Sequence, residues 1–167
     1  GDDDGVFREC TKTIIDQVEV LKNLVNEFSR YSRLPVTNLA LHDLNEVIRD
    51  SVILFKDAHK EIAFDFQPGA DIPKVMIDPE QIRRVMVNLL DNAVAAVGPK
   101  EGRIEIGTSR SEDGKMARVD VADNGCGIPP GYKVKMFEPY FSTKRSGTGL
   151  GLATVYGIVR QNNGFIH

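Results

Sequence analysis

The amino-acid sequence predicts an α+β fold, a two-layer sandwich in which helices cover one face of a mostly antiparallel sheet. The first observation is the order of segments, which is one long helical segment followed by mixed helices and strands. The second is that residues 103–110 and 116–123 alternate in polarity and are joined by Glu112-Asp113-Gly114, a typical hairpin signal. Paired strands and interspersed helices together favour a sandwich with one core.

The composition is that of an ordinary globular protein. The chain has 167 residues, and a domain near this size buries about 70% of its unfolded surface. A net charge of −3 argues against a protein dedicated to nucleic acid. Cys10 and Cys126 form neither a disulfide framework nor a zinc site, and they fit a reducing compartment. No apolar run approaches the length needed to span a bilayer.

The first helix is predicted over residues 6–34 and ends before Pro35, because the residue before a proline disfavours the helical region. Residues 1–5 are interpreted as a tag or a solvated acidic edge. An apolar seam with alternating spacings of four and three favours packing against another long helix, although an amphipathic helix lying on its own domain stays open. The seam comprises Ile14, Val18, Leu21, Val25 and Phe28.

The remaining elements follow from local signals. Asp43 and Asp78 are placed to cap helices, and Pro79 suits a first helical position. Residues 124–148 are rich in glycine and proline without sustained periodicity, which predicts a functional loop or lid. The predicted strands are 37–41, 62–66, 74–77, 103–110 and 116–123, the predicted helices are 43–57, 79–97 and 150–161, and a further strand is predicted to start at Phe165-Ile166.

A pair of carboxamides on the helix over 79–97 is the first candidate for chemistry. Asn88 and Asn92 are four residues apart, so their side chains share one helix face. A carboxamide oxygen is a neutral, hard ligand suited to Mg²⁺, which commonly shares the phosphates of a nucleotide. The pair alone also fits a helix surface with local hydrogen bonds.

A carboxylate at a strand end is the second candidate. Asp123 closes the strand over 116–123 and is followed by Gly125 and Gly127. A carboxylate can accept a hydrogen bond from an exocyclic amine, such as N6 of adenine, and glycines let the backbone approach a flat ring. An ordinary Asp-Asn-Gly turn is the alternative.

A glycine-rich segment that opens the last helix is the third candidate. Gly147, Gly149 and Gly151 precede or begin that helix, where unpaired N–H groups favour anions such as phosphate. The spacing fits neither a Rossmann fingerprint nor a Walker A loop. A flexible hinge is the alternative for these glycines.

Four motifs in this order resemble the N, G1, F and G2 boxes of the sensor histidine kinase ATP-binding domain: Asn88-x-x-x-Asn92, Asp123-x-Gly-x-Gly127, Phe137-Glu-Pro-Tyr-Phe141 and Gly147-Thr-Gly-Leu-Gly151. The resemblance implies the Bergerat (GHKL) α/β sandwich over residues 37–167. It also implies that residues 6–34 are the second helix of a dimerisation and phosphoacceptor hairpin. The segments 26–30 and 137–144 are most similar to the nitrogen-regulation branch, of NtrY or NtrB type.

The resemblance implies ATP and Mg²⁺ as cofactors. Asn92 would ligate Mg²⁺ and Asn88 would assist near the phosphates, while Asn88 and Lys144 would be the catalytic residues. Asp123 would bind adenine, and residues 129–148 would form an ATP lid anchored by Phe137 and Phe141. The implied nucleotide-binding residues are Asn88, Asn92, Asp123, Gly125, Gly127, Ile128, Phe137, Phe141, Thr143, Lys144, Arg145, Gly147, Thr148, Gly149, Leu150, Gly151 and Leu152.

Two departures from the family pattern concern the phosphates. Many members carry a cation where this chain has Ala95, and Lys144 and Arg145 are the candidates that would supply the missing charge. Related ATPases of the gyrase, Hsp90 and MutL group carry a Glu at the position of Asn88, where it activates water. An Asn cannot act as that base, so poor hydrolysis and a preserved γ-phosphate are expected.

The acceptor motif of the family, His-Glu-x-x-Asn-Pro, is absent from the sequence, and His42, His59 and His167 do not lie in such a motif. The resemblance therefore implies transfer of the ATP γ-phosphoryl group to a histidine outside this chain and then to a response-regulator aspartate. The chain alone should bind nucleotide without labelling itself. The parent protein is expected to be a homodimer with a cytoplasmic kinase part, and its membrane anchorage is left open.

Three other functions stay open on the sequence alone. A GHKL ATPase is disfavoured by Asn88 and by the long first helix. A noncatalytic nucleotide-sensing module is disfavoured by the intact Asn92, Asp123 and Gly149-x-Gly151. A serine kinase of the anti-sigma type is disfavoured by the apolar seam of the first helix.

Overall fold

The computed structural model describes residues 3–32, 37–98, 101–143 and 147–167. Most elements lie within three residues of their predicted bounds, and the first helix begins at Asp3, before the predicted residue 6. The elements are α1 Asp3–Ser32, β1 Ala40–His42, α2 Leu44–Ala58, β2 Ala63–Gln67, β3 Val75–Ile77, α3 Pro79–Ala96, β4 Arg103–Arg110, β5 Ala117–Asp123, a 3₁₀ turn Pro130–Tyr132 and α4 Gly151–Gln161.

The strands form two small sheets. β1 pairs antiparallel with β3, and Leu41 lies opposite Met76. In the second sheet β4 is central, since it pairs parallel with β2 and antiparallel with β5. The β4–β5 connection is the predicted hairpin, in which Gly114 adopts a φ of 70°. The prediction of a mixed, mostly antiparallel sheet is therefore confirmed.

The core lies between the inner face of the larger sheet and the helices α2 and α3. Alternation along β4 buries Ile104 and Ile106, while α2 contributes Ile48 and α3 contributes Met86 and Leu90. This is the arrangement of an α/β sandwich, because an apolar sheet face and apolar helix stripes bury one another. The same packing fixes α3, the helix that carries both candidate carboxamides.

A second apolar cluster attaches α4 to α3. Val85 of α3 packs with Val155 and Ile158 of α4, and Ile166 covers the cluster from the chain's last residues. The predicted strand at Phe165-Ile166 is wrong: residues 162–163 form a turn, and none of the described strands pairs with residues 164–167. The N–H of Gly164 donates to the carbonyl of Val159 at 2.8 Å, which directs Ile166 to the cluster.

The apolar side chains predicted to form a seam on α1 are exposed. Ile14, Val18, Leu21 and Val25 all lie on the surface, and the side chain of Phe28 lies outside the described part of the structure. None of the helices in the described ranges is both long and apolar enough to cross a membrane.

Both predicted N-caps are confirmed. Asp43 accepts hydrogen bonds from the N–H groups of Asn45 and Glu46 at the start of α2. Asp78 does the same for Glu80 and Gln81 at the start of α3, with Pro79 in the first turn. These caps satisfy donors that the first turn of a helix leaves without intrahelical partners.

Asp78 also belongs to a buried polar network that joins three parts of the chain. Its Oδ2 accepts from the N–H of Asn38 at 2.9 Å, and its own N–H donates to Oδ1 of Asn162 at 3.0 Å. Nδ2 of Asn162 donates to Oε1 of Gln81 at 2.9 Å, and Nε2 of Gln81 donates to Oγ1 of Thr37 at 3.1 Å. The network holds the entry to β1, the start of α3 and the end of α4 together.

An Asp78→Ala variant should therefore lose more stability than a variant that removes a simple cap. We expect the free energy of unfolding to fall by about 2–3 kcal/mol, because a cap and a further charge-assisted hydrogen bond are lost together. Asp43→Ala is the matched control, with an expected loss of about 1 kcal/mol. Urea unfolding of the two variants measures both values, and an equal or smaller loss at Asp78 would contradict the role of the network.

Candidate functional site: helix α3 and two glycine loops

Asp123 ends β5 with its side chain exposed. The following turn is tied to the start of β4, because the N–H of Arg103 donates to Oδ1 of Asn124 at 2.8 Å and the N–H of Asn124 donates to the carbonyl of Arg103 at 3.2 Å. Oδ1 of Asp123 accepts from the N–H of Gly125 at 2.9 Å. The carboxylate is thus held at a fixed strand end, at the mouth of the glycine loop.

The loop after Asp123 packs directly against the end of α3. A Cβ atom on Gly125 would lie 2.4 Å from the carbonyl carbon and oxygen of Ala96, so only glycine fits there. The N–H of Cys126 donates to the same carbonyl at 3.2 Å. Because Ala96 is one helical turn after Asn92, the contact brings the Asp123 loop to the helix that carries the second carboxamide.

Asn88 faces the start of α4. Its Nδ2 donates to the carbonyl of Arg84 at 2.8 Å, which leaves Oδ1 directed away from that turn of α3. A Cβ atom on Gly151 would lie 2.9 Å from this Oδ1, so the absence of a side chain at Gly151 makes room for the amide. One carboxamide and the first residue of α4 therefore meet in one place.

The second glycine loop is fixed by the chain before it. Gly149 has a φ of 71°, and a Cβ atom there would lie 2.4 Å from the carbonyl carbon of Tyr140. The N–H of Tyr140 donates to the carbonyl of Gly149 at 3.0 Å, and Tyr140 itself has a φ of 67°. Two residues in the left-handed region thus contact each other just before α4 begins.

The start of α4 presents the chemistry of an anion site. Leu150 is buried and accepts the first helical hydrogen bond, from the N–H of Thr154 at 2.9 Å. The N-cap position carries no side-chain capping bond. The N–H groups of the first turn and the helix dipole both favour negative charge at this end.

The segment between the glycine loops folds through aromatic contacts. The ring of Phe137 lies 5.9 Å from the ring of Tyr156 on α4, and the ring of Tyr132 lies 5.5 Å from the ring of Phe141. Both phenylalanines are half-buried. The sequence indicates Phe137 and Phe141 but neither Tyr132 nor Tyr156, since no local pattern shows which ring a lid residue meets.

The structure thus brings the three predicted motifs together along α3, which lies between the two glycine loops. Gly127 has a φ of 70° and open space around it, and Ile128 is exposed at the same loop. Thr143 and Gly147 are exposed, and Thr148 and Leu152 are half-buried. Lys144 and Arg145, the predicted phosphate cations, lie outside the described residues.

The donor set fits Mg²⁺. The amide oxygen of Asn88 points to a space that a side chain on Gly151 would fill, and Asn92 is half-buried on the same helix face. Amide oxygens are hard, neutral ligands, and Mg²⁺ bound through few protein groups relies on substrate phosphates for the rest. The site is thus compatible with a metal that arrives with its nucleotide.

The comparison with known families shows which family this chain belongs to. Residues 77–167, which hold α3, both glycine loops and α4, match the family described as histidine kinase-, DNA gyrase B- and HSP90-like ATPase. The chain belongs to this family. The resemblance that the four motifs predicted is therefore confirmed, and so is the sandwich fold of its histidine kinase members.

Individual histidine kinases are similar to the chain over most of its length. Nitrogen regulation protein NtrY of Azorhizobium caulinodans is 35% identical over 167 residues, which cover 96% of this chain and 21% of NtrY. The catalytic domain of histidine kinase ThkA, solved nucleotide free, is 34% identical with a TM-score of 0.63, covering 75% of this chain and 82% of that one. ThkA in complex with response regulator protein TrrA is 30% identical with a TM-score of 0.73, and the match covers 91% of this chain and 43% of the ThkA chain.

The chain therefore spans about a fifth of the length of NtrY. The similarity to NtrY agrees with the nitrogen-regulation branch that residues 26–30 and 137–144 indicate. Within the family, the structural counterpart is the catalytic domain, since the chain covers 82% of the ThkA catalytic domain.

Proposed function

We propose that this chain is the ATP-binding catalytic part of a sensor histidine kinase. It binds MgATP and transfers the γ-phosphoryl group to a histidine of a separate dimerisation hairpin, from which a response-regulator aspartate receives it. The observation that carries the proposal is that α3 contacts both glycine loops, through Ala96 and Gly125 on one side and Asn88 and Gly151 on the other. That arrangement supports a base site near the Gly125 loop and a phosphate site near Gly151, with the carboxamides of Asn88 and Asn92 on the helix that joins them.

The adenine position is assigned to Asp123 and to the glycine loop that follows it in the chain. One carboxylate oxygen holds the loop through the N–H of Gly125, and the second is the acceptor for the amine at N6. Gly127 and Ile128 line the base, the first because open space surrounds its α-carbon and the second because its apolar side chain is exposed there.

The phosphate end is assigned to the start of α4 and to the carboxamides of α3. The N–H groups of Gly149, Leu150 and Gly151 bind phosphate oxygens, and that of Leu150 then gives up its long hydrogen bond of 3.4 Å to Oγ1 of Thr148. Asn92 and Asn88 would hold Mg²⁺, which would supply positive charge to neutralise the phosphates. Phosphoryl transfer requires mainly positioning and charge neutralisation from a protein. The start of α4 and the carboxamides of α3 are the groups that we assign to these two tasks. Lys144 and Arg145 are proposed to supply the positive charge that many family members carry at the position of Ala95.

The same geometry disfavours ATP hydrolysis. The amide of Asn88 is tied to the carbonyl of Arg84 and has no basic group to take a proton from water. The γ-phosphoryl group is thus kept for an acceptor histidine. ThkA forms a complex with the response regulator TrrA, and we propose a partner of that class here, with the parent a cytoplasmic-facing homodimer.

Nucleotide binding tests the base site. We expect isothermal titration to show ATP binding in the presence of Mg²⁺, and an Asp123→Asn variant to bind ATP at least about tenfold more weakly. The reason is that the NH2 group of an asparagine takes the position of one carboxylate oxygen, so either the N–H of Gly125 or the amine of adenine then faces a donor. The ratio of the affinities for ATP and GTP should fall as well, because the new amide can donate a hydrogen bond to the oxygen at C6 of guanine.

Asp120→Asn is the matched control for this experiment. Asp120 lies in the same strand and is ion-paired with Arg118 on the exposed face of the sheet. Its replacement should leave the ATP affinity unchanged. Equal ATP affinity in wild type and Asp123→Asn would remove the base assignment, and absence of ATP binding by the wild type would remove the proposed function.

A further inference from the structure

A tyrosine on α4 contacts the segment that lies between the two glycine loops. Tyr156 is 46% exposed and does not belong to either apolar cluster, yet its ring lies 5.9 Å from that of Phe137 at an interplanar angle of 38°. This is within the range of favourable tilted aromatic pairs. Phe137 is half-buried although the residues around it in the chain are mostly exposed, so Tyr156 accounts for part of its burial.

The segment around Phe137 is built from short local turns. The N–H of Lys135 donates to the carbonyl of Tyr132 at 3.0 Å, and the N–H of Glu138 donates to the carbonyl of Lys135 at 2.9 Å. The ring of Tyr132 packs on that of Phe141 within the same segment. Such turns order the segment internally but leave its position on the domain to contacts with other elements.

Tyr156 lies on a helix that is packed firmly against the rest of the domain. Val155 comes directly before Tyr156 and Ile158 two residues after it, and both are fully buried against α3, so α4 is fixed on α3 at this level. The same helix begins at Gly151, the proposed phosphate site. A contact between Phe137 and Tyr156 therefore sets where the lid lies relative to the first turn of α4.

We propose that Tyr156 is a positioning residue for the nucleotide, which holds the segment around Phe137 beside the start of α4 through the ring of Phe137. This inference rests on the proposed function, because it assigns the lid to a nucleotide site. A lid that is already docked loses less conformational freedom when ATP binds, so the contact lowers the entropic cost of binding. The hydroxyl group is not required for this role, and the ring is.

The test uses two substitutions at this position and one elsewhere. Tyr156→Ala removes the ring, and Tyr156→Phe keeps it. Phe165→Ala is the control, because Phe165 is another exposed aromatic residue, stacked on Arg160 near the end of α4. Circular dichroism and thermal unfolding should show that each variant is folded, because both side chains lie outside the apolar clusters.

Two readouts separate positioning of the lid from a general structural effect. Limited trypsin cleavage after Lys133 and Lys135, read by mass spectrometry, should be about threefold to tenfold faster in Tyr156→Ala, the factor that the loss of one aromatic pair implies. The Kd for MgATP should rise by a similar factor, while transfer to an acceptor hairpin at saturating MgATP keeps its rate. Tyr156→Phe and Phe165→Ala should behave as wild type in both readouts.

The inference is overturned if Tyr156→Ala keeps the wild-type cleavage rate or the wild-type Kd. It is also overturned if Tyr156→Phe fails as Tyr156→Ala does, since the hydroxyl group would then be responsible. If the wild type binds no ATP, the proposed function fails, but the cleavage rates of the nucleotide-free protein still report on whether Tyr156 holds the lid.

Discussion

An Asn92→Ala variant should lose Mg²⁺-dependent phosphoryl transfer while remaining folded. Asn92 is half-buried on α3, one turn before the residue on which the Gly125 loop rests. Its amide is the group that we assign to Mg²⁺, and replacing a metal ligand costs at least as much as replacing the groups behind it, about 100-fold or more. The rate of label transfer from γ-labelled ATP to an acceptor hairpin, measured across a Mg²⁺ titration, gives this value.

Glu80→Ala is the control for that experiment, because it changes the same helix at an exposed position. Glu80 is ion-paired with Arg83 on the surface, and such pairs contribute little to stability. We expect Glu80→Ala to transfer label as the wild type does. A wild-type rate and an unchanged Mg²⁺ dependence in Asn92→Ala would show that the metal is held elsewhere.

A Gly149→Ala variant should lose nucleotide affinity through the backbone rather than through a lost contact. Gly149 has a φ of 71°, which costs an alanine about 1–2 kcal/mol. A Cβ atom there would also lie 2.4 Å from the carbonyl carbon of Tyr140, so the loop must shift. Because the same loop leads into the first turn of α4, we expect the affinity for MgATP to fall by about tenfold or more.

Gly114→Ala is the control that separates the cost of a positive φ from the displacement of the loop next to Tyr140. Gly114 has a φ of 70° in the β4–β5 hairpin, and a Cβ atom there would lie nearest to the flexible side chain of Arg110, at 3.2 Å. This variant should show the conformational cost as reduced thermal stability with unchanged ATP affinity. If Gly149→Ala binds ATP as Gly114→Ala does, the loop between Tyr140 and α4 does not form the phosphate site.

Local signals in the sequence predict much of this fold. Asp78 followed by Pro79 marks the start of α3 because a capping carboxylate and a proline in the first turn act within a few residues of each other. The bounds of β4 follow from the alternation that buries Ile104 and Ile106. Each of these features depends on neighbouring residues, which a single sequence displays.

Contacts between distant residues are not predictable in that way. Gln81 and Asn162 are joined by a hydrogen bond across 81 positions of the chain, and nothing near either residue indicates the other. The predicted strand at Phe165-Ile166 failed for the same reason, since the apolar cluster that receives Ile166 is formed by α3 and α4. A strand also needs a neighbouring strand as hydrogen-bond partner, and among the described strands none pairs with these residues.

The candidate site shows both cases. The spacing of Asn88 and Asn92 and the positions of the glycines are visible in the sequence, and the family resemblance joins them. The structure adds the reason why glycine is needed at two of those positions, namely the carbonyl of Ala96 at Gly125 and the amide of Asn88 at Gly151. It also adds Tyr156, whose partner Phe137 lies 19 positions earlier in the chain.

The most direct test of the proposed function is a transfer experiment with the wild-type chain. The chain is mixed with a separate hairpin that carries an acceptor histidine, docking is verified, and γ-labelled MgATP is added. We predict acid-labile label on the hairpin and none on this chain alone. Free phosphate released by the chain alone, or label that stays on bound ATP while the hairpin is docked, would contradict the assignment as a histidine kinase catalytic domain.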